Sequence, residues 1–366
     1  MYQIMGSMRM WISILALAGP ATGELFGIAG LALHNAISNS RIALGPLDLS
    51  GSAVTLKGDI RVVEGIHLLD VMDSGCGLAV AGNIAYTVGY DCEAQPYKPC
   101  PAKSSMRLYG VDLATGKVAE NFSTPLPWWE KLDDHHTAMH IAKKSGDFVI
   151  TGIMSPSGPP RPLVGGVVVM GAGGDVKSTQ IIDQAYGDYI KGPAALDEAG
   201  TGGYSVYLAV ASIGANKPLI RYDVATATKT EIPLPDNLVA TSLAFDATRG
   251  GAWIVASNAT KILEDGYYLA FVPRGAVAPS SIRALGRDAC SSVSNPEDNA
   301  ARITALDGPN LVVALTCQPS AGSLNQHLIT IDVTTAKVTS APFTYPAPLH
   351  GAPNATAEVF GIAASR

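Results

Sequence analysis

One stretch decides the fold and reads Leu108-Tyr-Gly-Val-Asp-Leu-Ala-Thr-Gly-Lys-Val118. Tyr109 and Val111 are residue types that favour an extended strand. Asp112 and Gly116 favour a tight turn, because an Asp side chain bonds its own backbone and a Gly tolerates a positive φ. The stretch therefore predicts a strand, a turn and a second strand.

The same motif recurs along the chain, in some copies less exactly, at residues 46–54, 168–176, 221–229, 269–277 and 330–338. Repeats of about 50 to 60 residues are typical of a four-stranded propeller blade with long loops. The sequence therefore predicts an all-β fold, a six-bladed β-propeller. The residues that match Asp112 are Asp48, Met170, Asp223, Val272 and Asp332, so the six positions lie 64, 58, 53, 49 and 60 residues apart in chain order.

The two ends of the chain together supply one more period. Residues after Asp332 and residues 24–48 add up to about one blade, so we expect a last blade closed by N- and C-terminal strands. The segment Glu358-Val-Phe-Gly-Ile-Ala363 predicts its innermost strand. The second strand comes from residues 24–40, or the blade is incomplete. Residues 24–366 then form a single domain.

The phrase at 112–117 resembles the strand-turn-strand element of quinoprotein-like and YVTN-type β-propellers. The resemblance covers most of the chain as architecture, and its motif is matched at Asp112, Asp223 and Asp332. Quinoprotein dehydrogenases of that superfamily usually carry a Trp shortly after the Gly, eight blades and vicinal cysteines. Residues 117–122 hold no Trp and no two cysteines are adjacent, so we carry over no quinone cofactor.

The composition suits a compact, sheet-rich protein. Of 366 residues, 15% are charged, and 38 Gly and 24 Pro are available for turns. The formal net charge of −6 gives no electrostatic reason to expect nucleic acid or an anionic membrane as a partner. We expect a monomer.

The first residues predict export. Arg9 precedes the apolar run 11–18, and small residues follow up to Gly23, which is the pattern of a signal peptide over residues 1–23. The alternative is an uncleaved membrane anchor, because apolar character resumes at Leu25. The expected closure of the ring favours cleavage, since it uses residues from position 24 onwards. The predicted location is extracellular.

Sequons and cysteines agree with export. Three Asn-x-Ser/Thr triplets are candidate glycosylation acceptors, and they begin at Asn121, Asn258 and Asn354. The cysteines predict two disulfides in an oxidising compartment, which join Cys92 to Cys100 and Cys290 to Cys317. Cys76 is left over, and it is either a buried strand cysteine or, beside a cation, a reactive thiol.

Candidate ligand-binding residues fall in the linkers between blades. A propeller binds at the end where these linkers emerge, around the mouth of the central channel. A tryptophan pair there either stacks on a sugar or another flat ligand, or packs between blades. The candidates are Trp128, Trp129, Asp133, Asp134, Glu297 and Asp298.

The densest cluster of possible metal ligands or acid–base groups holds His135, His136 and His140 beside Asp133 and Asp134. Imidazole and carboxylate groups suit Zn²⁺, and the spacing of His136 and His140 places both on one face of a helix or a strand. General acid–base catalysis is a second hypothesis. A polar linker that caps the channel is a third, because no further His or Cys pair completes a metal site.

Two charged residues are expected at the starts of neighbouring inner strands. The predicted inner strands begin at Cys76 in the first blade, His140 in the second, Arg302 in the fifth and Glu358 in the sixth, and the fifth, sixth and first blades are neighbours. The Arg302 and Glu358 pair is either a clamp for a ligand or an ion pair that closes the ring.

The chain has no nucleophile elbow, P-loop, dinucleotide fingerprint or zinc-protease motif. We therefore predict a secreted binding module for an extracellular protein or glycan, with no cofactor. The alternative is a propeller enzyme, hydrolase-like or lactonase-like, with a polar or metal-assisted site that uses a divalent cation. Its candidate catalytic residues are His135, His136, His140, Arg302 and Glu358.

Overall fold

The structure is a computed structural model, and it describes residues 24–33, 36–58, 60–63, 67–68, 77–90, 105–130, 137–142, 145–154, 164–183, 194–198, 203–209, 218–235, 237–258, 266–286, 303–320, 323–344 and 356–365. Throughout these ranges the regular structure is β-strand, with no helix. Accordingly, the described part of the chain contains no helix long and apolar enough to cross a membrane.

The strands of the first half follow the predicted repeat. Four belong to the closing blade, blade 6, and they are β1 (Leu25–Leu33), β2 (Ala36–Asp48), β3 (Thr55–Leu56) and β4 (Arg61–Val63). Blade 1 has β5 (His67–Leu68), β6 (Leu78–Ala81), β7 (Ile84–Tyr90), β8 (Ser105–Asp112) and β9 (Val118–Glu130). Blade 2 has β10 (Thr137–Ile141), β11 (Phe148–Met154), β12 (Val164–Met170) and β13 (Val176–Asp183).

The second half continues the order and returns to the first strand. Blade 3 has β14 (Ala194–Asp197), β15 (Ser205–Leu208), β16 (Leu219–Asp223) and β17 (Thr228–Ile232). Blade 4 has β18 (Leu238–Asp246), β19 (Gly251–Asn258), β20 (Tyr267–Pro273) and β21 (Ser281–Gly286). Blade 5 has β22 (Ile303–Asp307), β23 (Asn310–Ser320), β24 (Ser323–Asp332) and β25 (Val338–Pro342), and the last strand is β26 (Thr356–Ala364).

The six sheets form a closed ring. Each sheet is antiparallel, and the inner strands β6, β10, β14, β18, β22 and β26 touch one another in that order, with β26 returning to β6. The strand β26 pairs with β1, from Leu25 opposite Ala364 to Ala32 opposite Thr356. The prediction of an all-β, six-bladed propeller closed by its N- and C-terminal strands is confirmed, and the second strand of blade 6 is β1.

The hydrophobic core lies in the six seams between blades. Six clusters of buried side chains each combine residues from two neighbouring blades. Strand alternation explains this arrangement, because residues two apart point to the same face of a sheet and both faces of every blade meet a neighbour. The largest fully buried side chains are Tyr207, Ile28, Ile42, Leu44 and Leu108.

The repeated Asp ends the third strand of its blade and shapes the following turn. One oxygen of Asp112 accepts from the backbone N–H groups of Ala114 at 2.9 Å and Thr115 at 2.8 Å. Asp332 repeats the pattern with two backbone N–H groups, and Asp223 with one. Backbone hydrogen bonds hold the pKa of both Asp112 and Asp332 below the ordinary value of 3.8.

The predicted repeat position in blade 4 was wrong by one residue. Asp112 lies opposite the first residue of its neighbouring strand, and Pro273 occupies that register in blade 4, opposite Gly251. Val272 is one residue too early. The turn after β20 has no Asp to bond its backbone and has a positive φ at Gly275 instead. The repeat motif is therefore only partly preserved in blade 4.

The fourth residue after the repeated Asp adopts a positive φ in three blades. Gly116 takes this position with φ of 71°, whereas Ala227 and Ala336 take it with 53° and 60°. A left-handed backbone costs an L-residue with a Cβ about 1 kcal/mol. Two of the repeats therefore carry local strain that Gly would relieve.

We expect Ala227→Gly to raise the free energy of unfolding by about 0.5–1 kcal/mol, because Ala227 is exposed and loses no packing. Ala225→Gly is the matched control in the same turn, since Ala225 is also exposed and has no positive φ. The control should leave stability unchanged or lower it slightly. Chemical denaturation measures both, and a destabilised Ala227→Gly would contradict the strain.

Candidate functional site

The strand directions give the ring two different ends. The turns between first and second strands and between third and fourth strands lie at one end, which we call the turn end. The connections between second and third strands and the linkers between blades lie at the other, the linker end. The five longest connections are all at the linker end: 91–104, 184–193, 209–218, 287–302 and 343–355.

Most sequence-predicted site residues lie outside the described residues. For Asn121, Trp128, Trp129, Cys317 and Glu358 the structure gives the strand position alone, in β9, β23 and β26. The predictions about glycans, disulfides and these side chains stay predictions. The residues outside the described ranges are Cys76, Cys92, Cys100, Asp133, Asp134, His135, His136, Cys290, Glu297, Asp298, Arg302 and Asn354.

His140 has a structural role in the seam between blades 2 and 3. We expected it at the start of its inner strand, but it is the fourth residue of β10 and lies opposite Val149, near the turn end. Its Nε2 lies 3.0 Å from the carbonyl oxygen of Ala194 in the next inner strand. Because a carbonyl oxygen only accepts, Nε2 donates, and the ring is committed to holding two inner strands together.

Glu358 lies in the inner strand of blade 6, whereas Arg302 lies outside the described residues and comes directly before the first strand of blade 5 in the sequence. Glu358 is the third residue of β26, opposite Gly30, and Arg302 directly precedes β22. The strands β22 and β26 touch as neighbouring inner strands, and β26 touches β6 on its other side. The fold therefore brings the strand position of Glu358 and the first residue of β22, Ile303, to the linker end of one seam.

The sequon at Asn258 is buried. Asn258 ends β19 and is 8% exposed, so a glycan there requires the end of the strand to open. This burial disfavours Asn258 as an acceptor.

A connected polar network joins blades 2 and 3 at the turn end. Asp147 is 5% exposed, and its carboxylate accepts from Lys177 Nζ at 2.7 Å and from Tyr204 Oη at 2.9 Å. Ser145 extends the network by a hydrogen bond to the same Tyr204 hydroxyl. Burial raises the pKa of Tyr204, so its hydroxyl is a poor base at neutral pH. The network is thus a latch between blades.

The latch predicts a pH dependence. Burial alone would raise the pKa of Asp147, but hydrogen bonds from Lys177 and Tyr204 outweigh it and hold the pKa below 3.8. A lowered folded-state pKa means that the stabilisation is present above pH 3.8 and is lost as the pH falls through the folded value. We expect the difference in free energy of unfolding between the wild type and Asp147→Asn to become smaller as the pH falls from about 5 to about 2.

Denaturation midpoints of the two proteins, measured across that pH range, test the latch. Glu231→Gln is the control, because Glu231 is exposed and its ion pair with Lys229 lies within one strand, so its removal should change stability little. A stability difference for Asp147→Asn that does not change with pH would contradict the assignment.

Two further seams carry ion pairs at the turn end. Asp197, the last residue of β14, is 2% exposed, and it accepts from Nε and Nη2 of Arg274 in blade 4, both at 2.8 Å. Asp246, the last residue of β18, accepts from Arg249 Nη1 at 2.8 Å and from Trp253 Nε1 at 3.2 Å. The same Arg249 donates to the Thr334 hydroxyl of blade 5.

The ion pairs of Asp197 and Asp246 were not predicted from the sequence, although a signal was present. The inner strands of blades 3, 4 and 5 each end in an apolar residue followed by Asp, at Asp197, Asp246 and Asp307. The repeat of that Asp marks the turn end. The sequence does not show the cation, because Arg274 lies in a different blade from Asp197.

The described residues do not assemble a metal centre. Within them, no group of three or more His, Cys, Asp or Glu side chains is placed to hold an ion. The proposed ligands His135 and His136 lie outside these residues, and the third, His140, bonds Ala194.

Blade 4 holds buried hydroxyls near the linker end. Tyr267 begins β20 and is 2% exposed, and among the described residues its hydroxyl finds no hydrogen-bond partner. Burial raises its pKa, so the hydroxyl stays protonated. The Ser242 hydroxyl in β18 is also buried without a partner. Buried hydroxyls without partners are costly, so either group is a liability for stability unless it serves a ligand.

We expect Tyr267→Phe to raise the free energy of unfolding by about 1 kcal/mol, because it removes an unpaired buried hydroxyl. The control is Tyr222→Phe, since the Tyr222 hydroxyl donates to Gln180 Oε1 at 2.9 Å and should cost about 1 kcal/mol when removed. Chemical denaturation of both variants gives the comparison. A loss of stability in Tyr267→Phe would show that its hydroxyl has a partner.

Comparison with known proteins gives fold likeness only. No protein-family model matches the chain, and no curated protein matches it in sequence. Similar solved structures include an exo-β-1,3-galactanase from Phanerochaete chrysosporium, with 14% identity and a TM-score of 0.44 over 77% of this chain and 66% of that one. Another is a protein of unknown function from Dyadobacter fermentans, with 10% identity and a TM-score of 0.49 over 76% and 85%.

A third similar structure is a puromycin-hydrolyzing peptidase from Mycobacterium tuberculosis, with 11% identity and a TM-score of 0.48. The match covers 89% of this chain and 46% of the peptidase, so the chain spans less than half of that protein. It also spans slightly less than two thirds of the galactanase. The strand topology of the chain itself establishes the six-bladed β-propeller, and its activity has to be argued from its own residues.

Proposed function

We propose that the protein is a ligand-binding β-propeller that holds a carbohydrate or protein ligand at its linker end. One observation carries the proposal: the longest connections, including 91–104, 287–302 and 343–355, all emerge at that end. Long connections on a rigid scaffold are the usual carriers of binding residues, because they vary without disturbing the core.

The turn end offers a contrast. Its connections are short, and in both Asp112 and Asp332 a carboxylate oxygen accepts hydrogen bonds from the backbone of the residue's own turn. Its buried carboxylates at Asp147 and Asp197 are neutralised by cations. This end is therefore organised to hold blades together.

The residues assigned to the linker end suit a sugar. Trp128 and Trp129 occupy the last part of β9, whose final residue Glu130 pairs with Ser105 at the linker end. Aromatic rings provide flat apolar faces, and the nearby carboxylates of Asp133 and Asp134 accept hydrogen bonds from hydroxyls. A basic protein segment would use the same groups, with its cations on the carboxylates.

Hydrolysis is the second candidate function. The observation that favours it is the placement of Glu358 in β26 and of Arg302 before β22, on neighbouring inner strands at the linker end. A Glu carried by an inner strand near the linker end is a candidate general acid or base. The galactanase and the peptidase are hydrolases by name, but at these similarities the choice rests on this chain's own residues.

Two finer assignments belong to the same proposal. Export through a signal peptide over residues 1–23, with Cys92–Cys100 and Cys290–Cys317 disulfides, would place the site in an oxidising compartment. The mass of the secreted protein, with and without reductant, tests both statements. Membership of the quinoprotein-like and YVTN-like superfamily is proposed from the Asp112, Asp223 and Asp332 repeat.

The test uses the secreted protein against an array of neutral and acidic oligosaccharides, followed by titration calorimetry of the best binder. Mass spectrometry of the incubated oligosaccharide reports cleavage. The double variant Trp128→Ala/Trp129→Ala should lose binding at least tenfold. Lys337→Ala is the control, because Lys337 is exposed at the turn end.

The outcomes separate the two functions. Binding without cleavage, lost in the tryptophan variant, supports a binding module. Cleavage abolished by Glu358→Gln supports the hydrolase. A ligand whose affinity falls in Lys337→Ala but survives in the tryptophan variant would overturn the assignment to the linker end.

A further inference from the structure

One aspartate at the turn end differs from the others in what its carboxylate bonds. Five strand-ending aspartates accept a hydrogen bond from a backbone N–H group two or three residues later, and they are Asp48, Asp112, Asp223, Asp246 and Asp332. Asp307 likewise ends a strand, β22. Its carboxylate accepts no hydrogen bond within the described part of the chain, and its Oδ1 atom is buried without a partner. The described contacts therefore do not tie this carboxyl group to its own turn.

The turn places a glycine directly after this carboxyl group. Asp307 pairs with Asn310 across a two-residue loop, Gly308-Pro309, and both loop residues are exposed. Gly308 has a φ of 55°, which a hairpin of this length favours at its first loop position and which glycine adopts without strain. The N–H group of Gly308 donates no hydrogen bond to any described residue. The backbone nitrogen beside Asp307 is therefore free, and no side chain shields it.

The other strand-ending aspartates lack this arrangement. The residues that follow them all carry side chains, and they are Leu49, Leu113, Val224, Ala247 and Val333. A side chain on the following residue hinders the approach of its backbone nitrogen to the aspartate carboxyl carbon. The sequence holds one more Asp-Gly step, whose Asp265 lies outside the described residues. Among the described residues, the Asp307-Gly308 step thus combines an untied carboxyl group with a free, unshielded amide nitrogen.

We propose that Asp307 is a site of spontaneous covalent modification, which converts it to a succinimide and then to isoaspartate. The backbone nitrogen of Gly308 attacks the carboxyl carbon of Asp307, and the N–H proton leaves with the carboxyl hydroxyl as water. Water then opens the five-membered ring. Attack at the main-chain carbonyl carbon gives isoaspartate, and attack at the other carbonyl carbon restores aspartate. One water is lost and one is regained, so the reaction needs no other reactant.

The modification falls where the first two strands of blade 5 meet. Isoaspartate routes the main chain through the former side chain, which lengthens the β22–β23 hairpin by one methylene group. Leu306 pairs with the fully buried Leu311 directly beside this turn. The strand β22 also touches the inner strands of blades 4 and 6. The site is at the opposite end of the ring from the proposed ligand site and does not depend on that proposal.

The test is prolonged incubation of the folded protein in mildly acidic buffer, followed by digestion and peptide mass spectrometry with a fragmentation method that distinguishes isoaspartate from aspartate. Isoaspartate, and an imide lighter by one water, should accumulate at Asp307, whereas Asp112 in the same digest should stay at background. Asp307→Glu is the matched variant, because it keeps the carboxylate but would need a six-membered ring, so it should give no product. Asp307→Asn should form the same imide faster, because an amide loses ammonia more readily than a carboxyl group loses water.

A denatured sample of the wild type, incubated in parallel, shows how fast the Asp307-Gly308 step reacts without the fold. Product at Asp307 in the folded protein, absent from Asp307→Glu, supports the proposal. Asp307 that stays at background in the folded protein while the denatured sample reacts would overturn it, because the fold then prevents ring closure. Folded Asp307→Asn that remains unmodified would overturn it for the same reason.

Discussion

Replacing Arg274 with alanine should lower the free energy of unfolding by about 3 kcal/mol, because it leaves the buried carboxylate of Asp197 without its bidentate partner. Removing one member of a buried ion pair typically costs 3–5 kcal/mol, and we expect about the lower end because half of the Arg274 side chain is exposed. The loss should appear as a lower midpoint of chemical denaturation.

The control for this prediction also removes the negative charge of the buried Asp197 carboxylate. In the double variant Arg274→Met/Asp197→Asn the buried group is neutral, so most of the lost stability should return. Lys229→Ala provides a surface comparison, because its pair with Glu231 is exposed and should contribute less than about 1 kcal/mol. A loss below about 1 kcal/mol in Arg274→Ala would mean that blades 3 and 4 are held by apolar packing alone.

Replacing Gly116 with alanine should cost about 2–4 kcal/mol through two separate effects. Its φ of 71° disfavours any residue with a Cβ. An added Cβ would also lie 2.7 Å from the carbonyl oxygen of Val62 in β4, so the turn of blade 1 would be forced away from blade 6. This seam is where the end of the closing blade meets the first blade.

Gly82→Ala separates the two effects. Gly82 has a φ of 57°, but an added Cβ there would meet nothing within 4 Å. It should therefore cost about 1 kcal/mol, from the backbone alone. The difference between the variants, measured by chemical denaturation, reports the contact between blades 1 and 6. Equal losses would contradict the tight seam.

The two ends of the ring have different roles, which are inter-blade bonding at the turn end and the proposed ligand binding at the linker end. At the turn end, Asp147 and Asp197 accept hydrogen bonds from Tyr204 and Arg274 of the next blade. Asp246 holds Arg249, which donates to Thr334 of blade 5. At the linker end, the inner strands begin and the long connections emerge, so a ligand can bind there without disturbing these ion pairs. This division is the structural basis for proposing a ligand site at the linker end.

Features that depend on neighbours in the chain were predictable from the amino-acid sequence alone. The turn chemistry of Asp112, Asp223 and Asp332 was predictable, because each carboxylate bonds backbone groups two or three residues away. The spacing of these turns gave the blade count, and the length left over at the two ends gave the closing blade of β26 and β1. Where the local signal was weak, at Val272, the prediction missed by one residue.

Which side chains meet across a seam depends on how the blades pack, and it could be seen only in the folded protein. Asp197 and Arg274 are 77 residues apart, and His140 bonds a carbonyl group 54 residues away. Such partners depend on how far each blade is rotated against the next, and local spacing carries no information about that rotation.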